Sequence, residues 1–181
     1  PLQLCLMTAQ IANGGFKIYP KIILDSNQET VEEIKSKMLS EMETNEEDIK
    51  SRFNSGIFFG DDSKKYKALY RNKENVKFVL NAMFRSTNEV YGTSFSSRIE
   101  DPKYQFAGKT GTAQVKRITE AERELDLETN QIPYKQRDHA WFIAFGPYKK
   151  PRYAMSILVE HGGSGSKAAA PIAKKLFKLV I

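Results

Sequence analysis

Apolar positions recur at helical spacing from the first residues. Leu2, Leu6, Ala9 and Ile11 fall on one stripe, and Pro1 suits a first helical turn. Gly14-Gly15 then offers the left-handed freedom of a C-terminal cap, so a helix is expected over Pro1–Asn13. Phe16–Leu24 follows as a short extended stretch around Pro20. From Gln28 to Phe53 the chain is densely charged, with Val31, Ile34, Met38, Leu39 and Met42 on one helical face. Thr44 and Glu47 have capping-box spacing for a second short helix. Phe58–Tyr70 is polar and loop-like.

Asn72 is placed to cap a helix running to about Arg85, with Val76, Val79, Leu80 and Met83 inward. A Gly- and Ser-rich loop, Gly92–Ser97, leads to Tyr104–Val115, which reads as a strand broken by small residues. Lys116–Asp138 is a long charged connection with a short helix expected over Glu120–Leu127. Two apolar strands, His139–Phe145 and Tyr153–Glu160, are joined by a turn opening at Gly146-Pro147. Gly162–Gly165 punctuates the chain before a final helix, Ser166–Val180. Its expected buried stripe is Ile172, Leu176, Phe177 and Val180, with Lys174, Lys175 and Lys178 on the solvated face. The hairpin connection is too short for parallel pairing, so the sheet is at least partly antiparallel. Helices flanking such a sheet place the chain in the α+β class.

The 181 residues suffice for one core and leave little room for two. No apolar run approaches the roughly 20 residues a bilayer demands. No charged-then-apolar leader opens the sequence, so any export signal or membrane anchor is expected upstream of Pro1. Cys5, the single cysteine, excludes an internal disulfide and reads as a small apolar residue in a helical pattern. His139 and His161 stand apart with no third ligand at a suggestive spacing, so neither a metal nor another cofactor is expected. The net charge of +6 comes from 28 Lys and Arg scattered among 22 acids, without a basic-aromatic stacking motif. Nucleic acid is therefore not an expected partner.

The sharpest local feature is Gly108-Lys109-Thr110-Gly111-Thr112 inside the small-residue strand. Strand interiors favour bulky β-branched residues, and glycine there often marks the close approach of a ligand or another backbone. Lysine and two hydroxyls beside such a gap suit a carboxylate, while backbone N–H groups suit a carbonyl oxygen. Taken alone, the tripeptide reads more simply as a glycine bulge with solvent-facing Lys and Thr.

Context changes that balance. Lys-Thr-Gly is the third signature of penicillin-binding proteins and serine β-lactamases, after Ser-x-x-Lys and Ser-x-Asn. The run Phe106 to Val115 resembles the high-molecular-weight transpeptidases more than the lactamases. So do Pro1–Leu4 through Ala12–Gly15, Ala140–Pro147, Glu160–Gly165 and Ala169–Ala173. Arg137-Asp138-His139 resembles the monofunctional, cell-elongation type. The likeness covers most of the chain, with 25–71 as a divergent, insertion-like stretch. It implies that residues 1–181 are the C-terminal portion of a single transpeptidase domain.

The resemblance also implies roles. Lys109 would supply positive charge and organise the catalytic hydroxyls. Thr110 and Thr112 would bind the terminal carboxylate of an acyl-D-Ala-D-Ala stem peptide of peptidoglycan, or of a β-lactam mimicking it. Gly111 would leave room for that ligand, and the Thr112 N–H would be one of two oxyanion donors. Such a protein would work in the cell envelope, on the periplasmic side of the inner membrane.

The family's order places the nucleophilic serine and its lysine before the helix that opens this chain. Two formal matches occur out of order: Ser86-Thr87-Asn88, and Ser164-Gly165-Ser166-Lys167, where an N-cap role suits Ser164 or Ser166 better. The chain alone is therefore expected to form no acyl-enzyme and to need the N-terminal part of the same domain as its partner. A non-catalytic binding or docking fragment, and a β-lactamase or lactam sensor, are the alternatives.

Overall fold

The computed structural model describes residues 1–18, 20, 67–116 and 129–181. The expected helix in Gln28–Phe53, the Thr44–Glu47 box, the helix at Glu120–Leu127 and most of 25–71 lie outside these residues.

Helix α1 spans Leu2–Ala12. It stops where Asn13 turns back on the chain: its Nδ2 donates to the Phe16 carbonyl at 3.0 Å and its Oδ1 accepts the Phe16 N–H at 2.9 Å. Gly14 and Gly15 take φ of 92° and 89°, as the expected cap requires. Phe16 then forms an antiparallel bridge with Ala68. The inward side of α1 is Thr8 and Ala12 rather than the Leu2 end of the expected stripe, since Leu2 is 60% exposed. Thr8 tolerates full burial because its hydroxyl donates to the Leu4 carbonyl one turn back, at 2.7 Å.

Helix α2 spans Lys73–Asn88, and the Asn72 side chain caps it by accepting the Glu74 N–H at 2.9 Å. It buries Leu80, Met83 and Thr87, a set at i, i+3 and i+7. Val79 was expected inward but lies one residue, about 100°, off that line and is exposed.

Strands β1 (Ala107–Ala113), β2 (His139–Gly146) and β3 (Tyr153–Val159) form one sheet in the order β1-β2-β3, antiparallel throughout. The register pairs Lys109 with Ile143, Thr110 with Phe142 and Gly111 with Trp141. A five-residue π-turn, Gly165–Ala169, precedes helix α3, Ala170–Val180. The expected helical start at Ser166 therefore begins as a wider turn, and Pro171 falls in the first turn of α3, where its missing N–H is tolerated.

The pleat sorts the core into two layers. Ala140, Phe142 and Ala144 face Phe106, Ala169, Ala170, Ala173 and Phe177. On the other face Phe145, Ala107 and Ile143 meet Ala12 of α1 with Leu80 and Met83 of α2. The expected α3 stripe is corrected here. Phe177 is fully buried, whereas Ile172, Leu176 and Val180 are 40–42% exposed. Ala170 and Ala173 share the line of Phe177, and small residues there let the helix approach the sheet closely. The result is helix–sheet–helix, an α+β arrangement with an antiparallel three-stranded sheet.

Candidate active site

Among the described residues strand β1 forms one edge of the sheet, and its sequence Ala-Gly-Lys-Thr-Gly-Thr-Ala grows more accessible from its first two residues onward. Gly108 is fixed by packing, since a Cβ there would lie 2.3 Å from the Phe142 ring and 2.9 Å from the Ile143 carbonyl. Gly111 differs. Among the described residues a Cβ there would meet one neighbour, the Trp141 Cβ, at a tight 3.3 Å, so Gly111 is less enclosed than Gly108 but a side chain would still press on Trp141. Behind it, Gly165 presses on the backbone: a Cβ on Gly165 would stand 2.4 Å from the Trp141 carbonyl oxygen and 2.9 Å from that of Gly111. The glycine loop thus braces the strand from the α3 side.

The edge carries its own polar pattern. Asn88 at the end of α2 donates through Nδ2 to the Phe106 carbonyl at 2.9 Å, which marks the outward direction of residue 106. Alternate residues of an antiparallel strand turn their backbone groups the same way, so Gly108, Thr110 and Thr112 also face the free edge. The Lys109 Nζ agrees with this, reaching around to the Thr110 carbonyl at 2.9 Å and standing 3.4 Å from its hydroxyl. In the pleat Lys109 shares the face of Ile143 and of α1 and α2, while Thr110 shares that of Phe142. Lys109 and Thr112 are exposed, and Thr110 and Gly111 half-buried. The four expected site residues therefore lie together on one accessible strand edge, with an ammonium, two hydroxyls and outward N–H groups along it.

The loop between α2 and β1 adds hydroxyls that no sequence motif marks. Thr93 Oγ1 lies 3.5 Å from Thr110 Oγ1 and 3.3 Å from Ser86 Oγ. A glycine-threonine step at the end of a helix carries no signal on its own, and only the tertiary contact reveals it.

At the far end of β1 a latch joins three segments. The Asp138 carboxylate accepts the Val115 N–H at 3.1 Å, and its carbonyl accepts the Gly163 N–H at 2.8 Å. His139 and His161, 22 residues apart in sequence, are brought together with ring centroids 4.6 Å apart. His139 Nδ1 accepts the His161 backbone N–H at 2.9 Å, and His161 Nδ1 bonds the Arg137 carbonyl at 2.9 Å. A carbonyl only accepts, so His161 carries its proton on Nδ1. His161 holds φ of 55° to make these contacts. Arg137-Asp138-His139 thus works locally as a fastening of the strand ends. Among the described residues no group of three or more His, Cys, Asp or Glu side chains is placed to hold a metal ion.

Both out-of-order motif matches have structural work. Thr87 is buried in the last turn of α2, and Asn88 bridges the Phe84 and Phe106 carbonyls. Ser164 occupies the N-cap position of the π-turn, but the expected cap bond is not made; its hydroxyl lies 2.9 Å from that of Ser166 instead. Cys5 is half-buried, with its sulfur 3.4 Å from the Ala154 carbonyl. No helix among the described residues is long and apolar enough to cross a membrane.

Comparison with known proteins gives a consistent picture. The family model of the penicillin binding protein transpeptidase domain matches residues 1–178. Peptidoglycan D,D-transpeptidase MrdA of Haemophilus influenzae is 37% identical over 94 residues, which is 52% of this chain and 14% of that protein. The MrdA enzyme of Acinetobacter baumannii is 42% identical over 77 residues, 41% of this chain and 11% of that one. The matches thus span only a small share of these relatives' length. The crystal structure of Pseudomonas aeruginosa PBP2 in complex with WCK 5153 superposes with a TM-score of 0.59 at 26% identity, covering 98% of this chain and 28% of that one.

Proposed function

This chain belongs to the penicillin-binding protein transpeptidase family, of the MrdA type, and we propose that it is the C-terminal part of a peptidoglycan D,D-transpeptidase domain. In this reading the edge of β1 forms one wall of the cleft in which stem peptides are cross-linked. The observation that carries the proposal is the accessible strand edge on which Lys109, Thr110, Gly111 and Thr112 stand together, with the ammonium and the Thr110 hydroxyl side by side.

A peptide ending in D-Ala-D-Ala would add to that edge as an extra antiparallel strand. The hydroxyls of Thr110 and Thr112 bind its terminal carboxylate, and Lys109 supplies the balancing charge. The outward N–H of Thr112 donates to the scissile carbonyl oxygen as negative charge builds there in the tetrahedral intermediate. β-Lactams occupy the same edge through their own carboxylate. The attacking serine, its lysine base and the second oxyanion donor come from a segment outside residues 1–181. Ser164 is an unsuitable substitute, because its hydroxyl is engaged with that of Ser166 at 2.9 Å and among the described residues no lysine side chain is bonded to it. The intact enzyme would act at the outer side of the bacterial inner membrane in building the cell wall.

The test is covalent labelling. Purified residues 1–181 incubated with a fluorescent penicillin are expected to show no adduct on a denaturing gel or by intact mass. The full-length polypeptide is expected to label stoichiometrically. A stoichiometric adduct on the 181-residue chain would refute the assignment and make Ser164 the first residue to replace.

A further inference from the structure

The α2–β1 loop approaches the outer edge of β1 at Thr110 and brings one more hydroxyl to it. Thr93 is exposed, yet the loop around it is firmly seated. Gly92 is pressed against the end of α2, where a Cβ would stand 2.4 Å from the Ser86 carbonyl oxygen and 2.5 Å from that of Arg85. On one side of Thr93 the Tyr91 hydroxyl is held by Arg85 Nε at 2.9 Å. On the other side the Ser94 N–H donates to the Ser86 carbonyl at 3.0 Å, and the Ser94 side chain is fully buried. Thr93 is therefore presented in a fixed place rather than on a free loop tip.

What it presents is a continuous row. Ser86 Oγ lies 3.3 Å from Thr93 Oγ1, which lies 3.5 Å from Thr110 Oγ1, which lies 3.4 Å from Lys109 Nζ. Hydroxyl–hydroxyl bonds peak near ~2.7–2.8 Å, so these pairs are too wide to satisfy one another fully. Each hydroxyl has one rotatable proton. Two donors at this separation, with an ammonium next in line, can both turn outward onto a single anionic group.

We propose that Thr93 is a third hydroxyl of the carboxylate-binding row, donating alongside Thr110 to the terminal carboxylate of a peptide laid along β1. The proposal rests on the reading of the β1 edge given above. It makes the α2–β1 loop, and not β1 alone, a determinant of preference for a free C-terminal carboxylate. Ser86 acts behind it as a positioning residue that sets the Thr93 rotamer.

The test compares two probes on the 181-residue chain by calorimetry: an N-acylated peptide ending in D-Ala-D-Ala, and the same peptide with a C-terminal carboxamide. The wild-type chain is expected to prefer the acid. Thr93→Val, nearly isosteric and at an exposed position, should weaken acid binding about tenfold while leaving the amide unchanged. Thr93→Ser, which keeps the hydroxyl, should restore the preference. A Thr93→Val chain that keeps the full preference, while Thr110→Val loses it, overturns the role of Thr93 alone. A wild-type chain that binds acid and amide alike overturns the carboxylate site itself, and the proposal with it. Matching amide spectra of the three chains exclude loss of fold as the cause.

Discussion

Tyr148 sits against Phe84 and Phe145, with ring centroids 4.3 Å and 6.1 Å away, and burial pushes its phenol above the ordinary value. The fold therefore favours the neutral, protonated form. Its contribution to stability is present in full below the unfolded-chain value of about 10, and is lost as the pH rises from there through the folded-state value. Thermal melts from about pH 8 to about pH 11 should show a fall in stability that Tyr148→Phe reduces, so that the difference between the two proteins shifts in favour of the variant towards the alkaline end. Unchanged alkaline behaviour in the variant would contradict the assignment. The same scale shows what sequence could and could not reveal. Lys109 to Thr112 are adjacent, and glycines in a strand interior are conspicuous in one dimension. Thr93 meets Thr110 across 17 residues and His139 meets His161 across 22, so each pairing exists only once the chain has folded.

Among the elements, α3 separates burial from hydrophobicity most clearly. Phe177 stacks on Phe106 with centroids 4.8 Å apart and closes the core beneath Gly146, whereas Leu176 is 41% exposed beside it. Phe177→Ala should cost about 3–5 kcal/mol and Leu176→Ala no more than about 1 kcal/mol, read by denaturant unfolding. Equal losses would restore the stripe that periodicity suggested. That stripe misled because a helix hydrophobic on most sides gives no unique inward face, and the alanines that decide the approach distance look neutral in a hydropathy pattern. The strands were more legible. Their ends at Gly146 and Val159 fall within a residue of the pattern's expectation, since turn residues bound them. Helix α2 was capped at Asn72 as expected and ran to Asn88, because Asn88 finds a partner in Phe106 that lies 18 residues ahead in sequence.

At the scale of the molecule, the described residues pack α1 and α2 on one face of a three-stranded sheet and α3 on the other, leaving β1 as an edge. The fold class was readable from the order of elements, and the family from short segments matching in sequence and order. The pairing of β1 with β2 across a long charged connection was not readable, nor was the approach of Thr93 to Thr110. Everything proposed for this chain converges on the β1 edge. The most direct measurement is an amide-resolved NMR titration of the 181-residue chain with an N-acylated peptide ending in D-Ala-D-Ala. The account predicts shifts concentrated on the outward amides of Thr110 and Thr112, with weaker ones at Thr93. A folded chain whose β1 amides stay unmoved while another surface responds, such as the β3 edge, would contradict it.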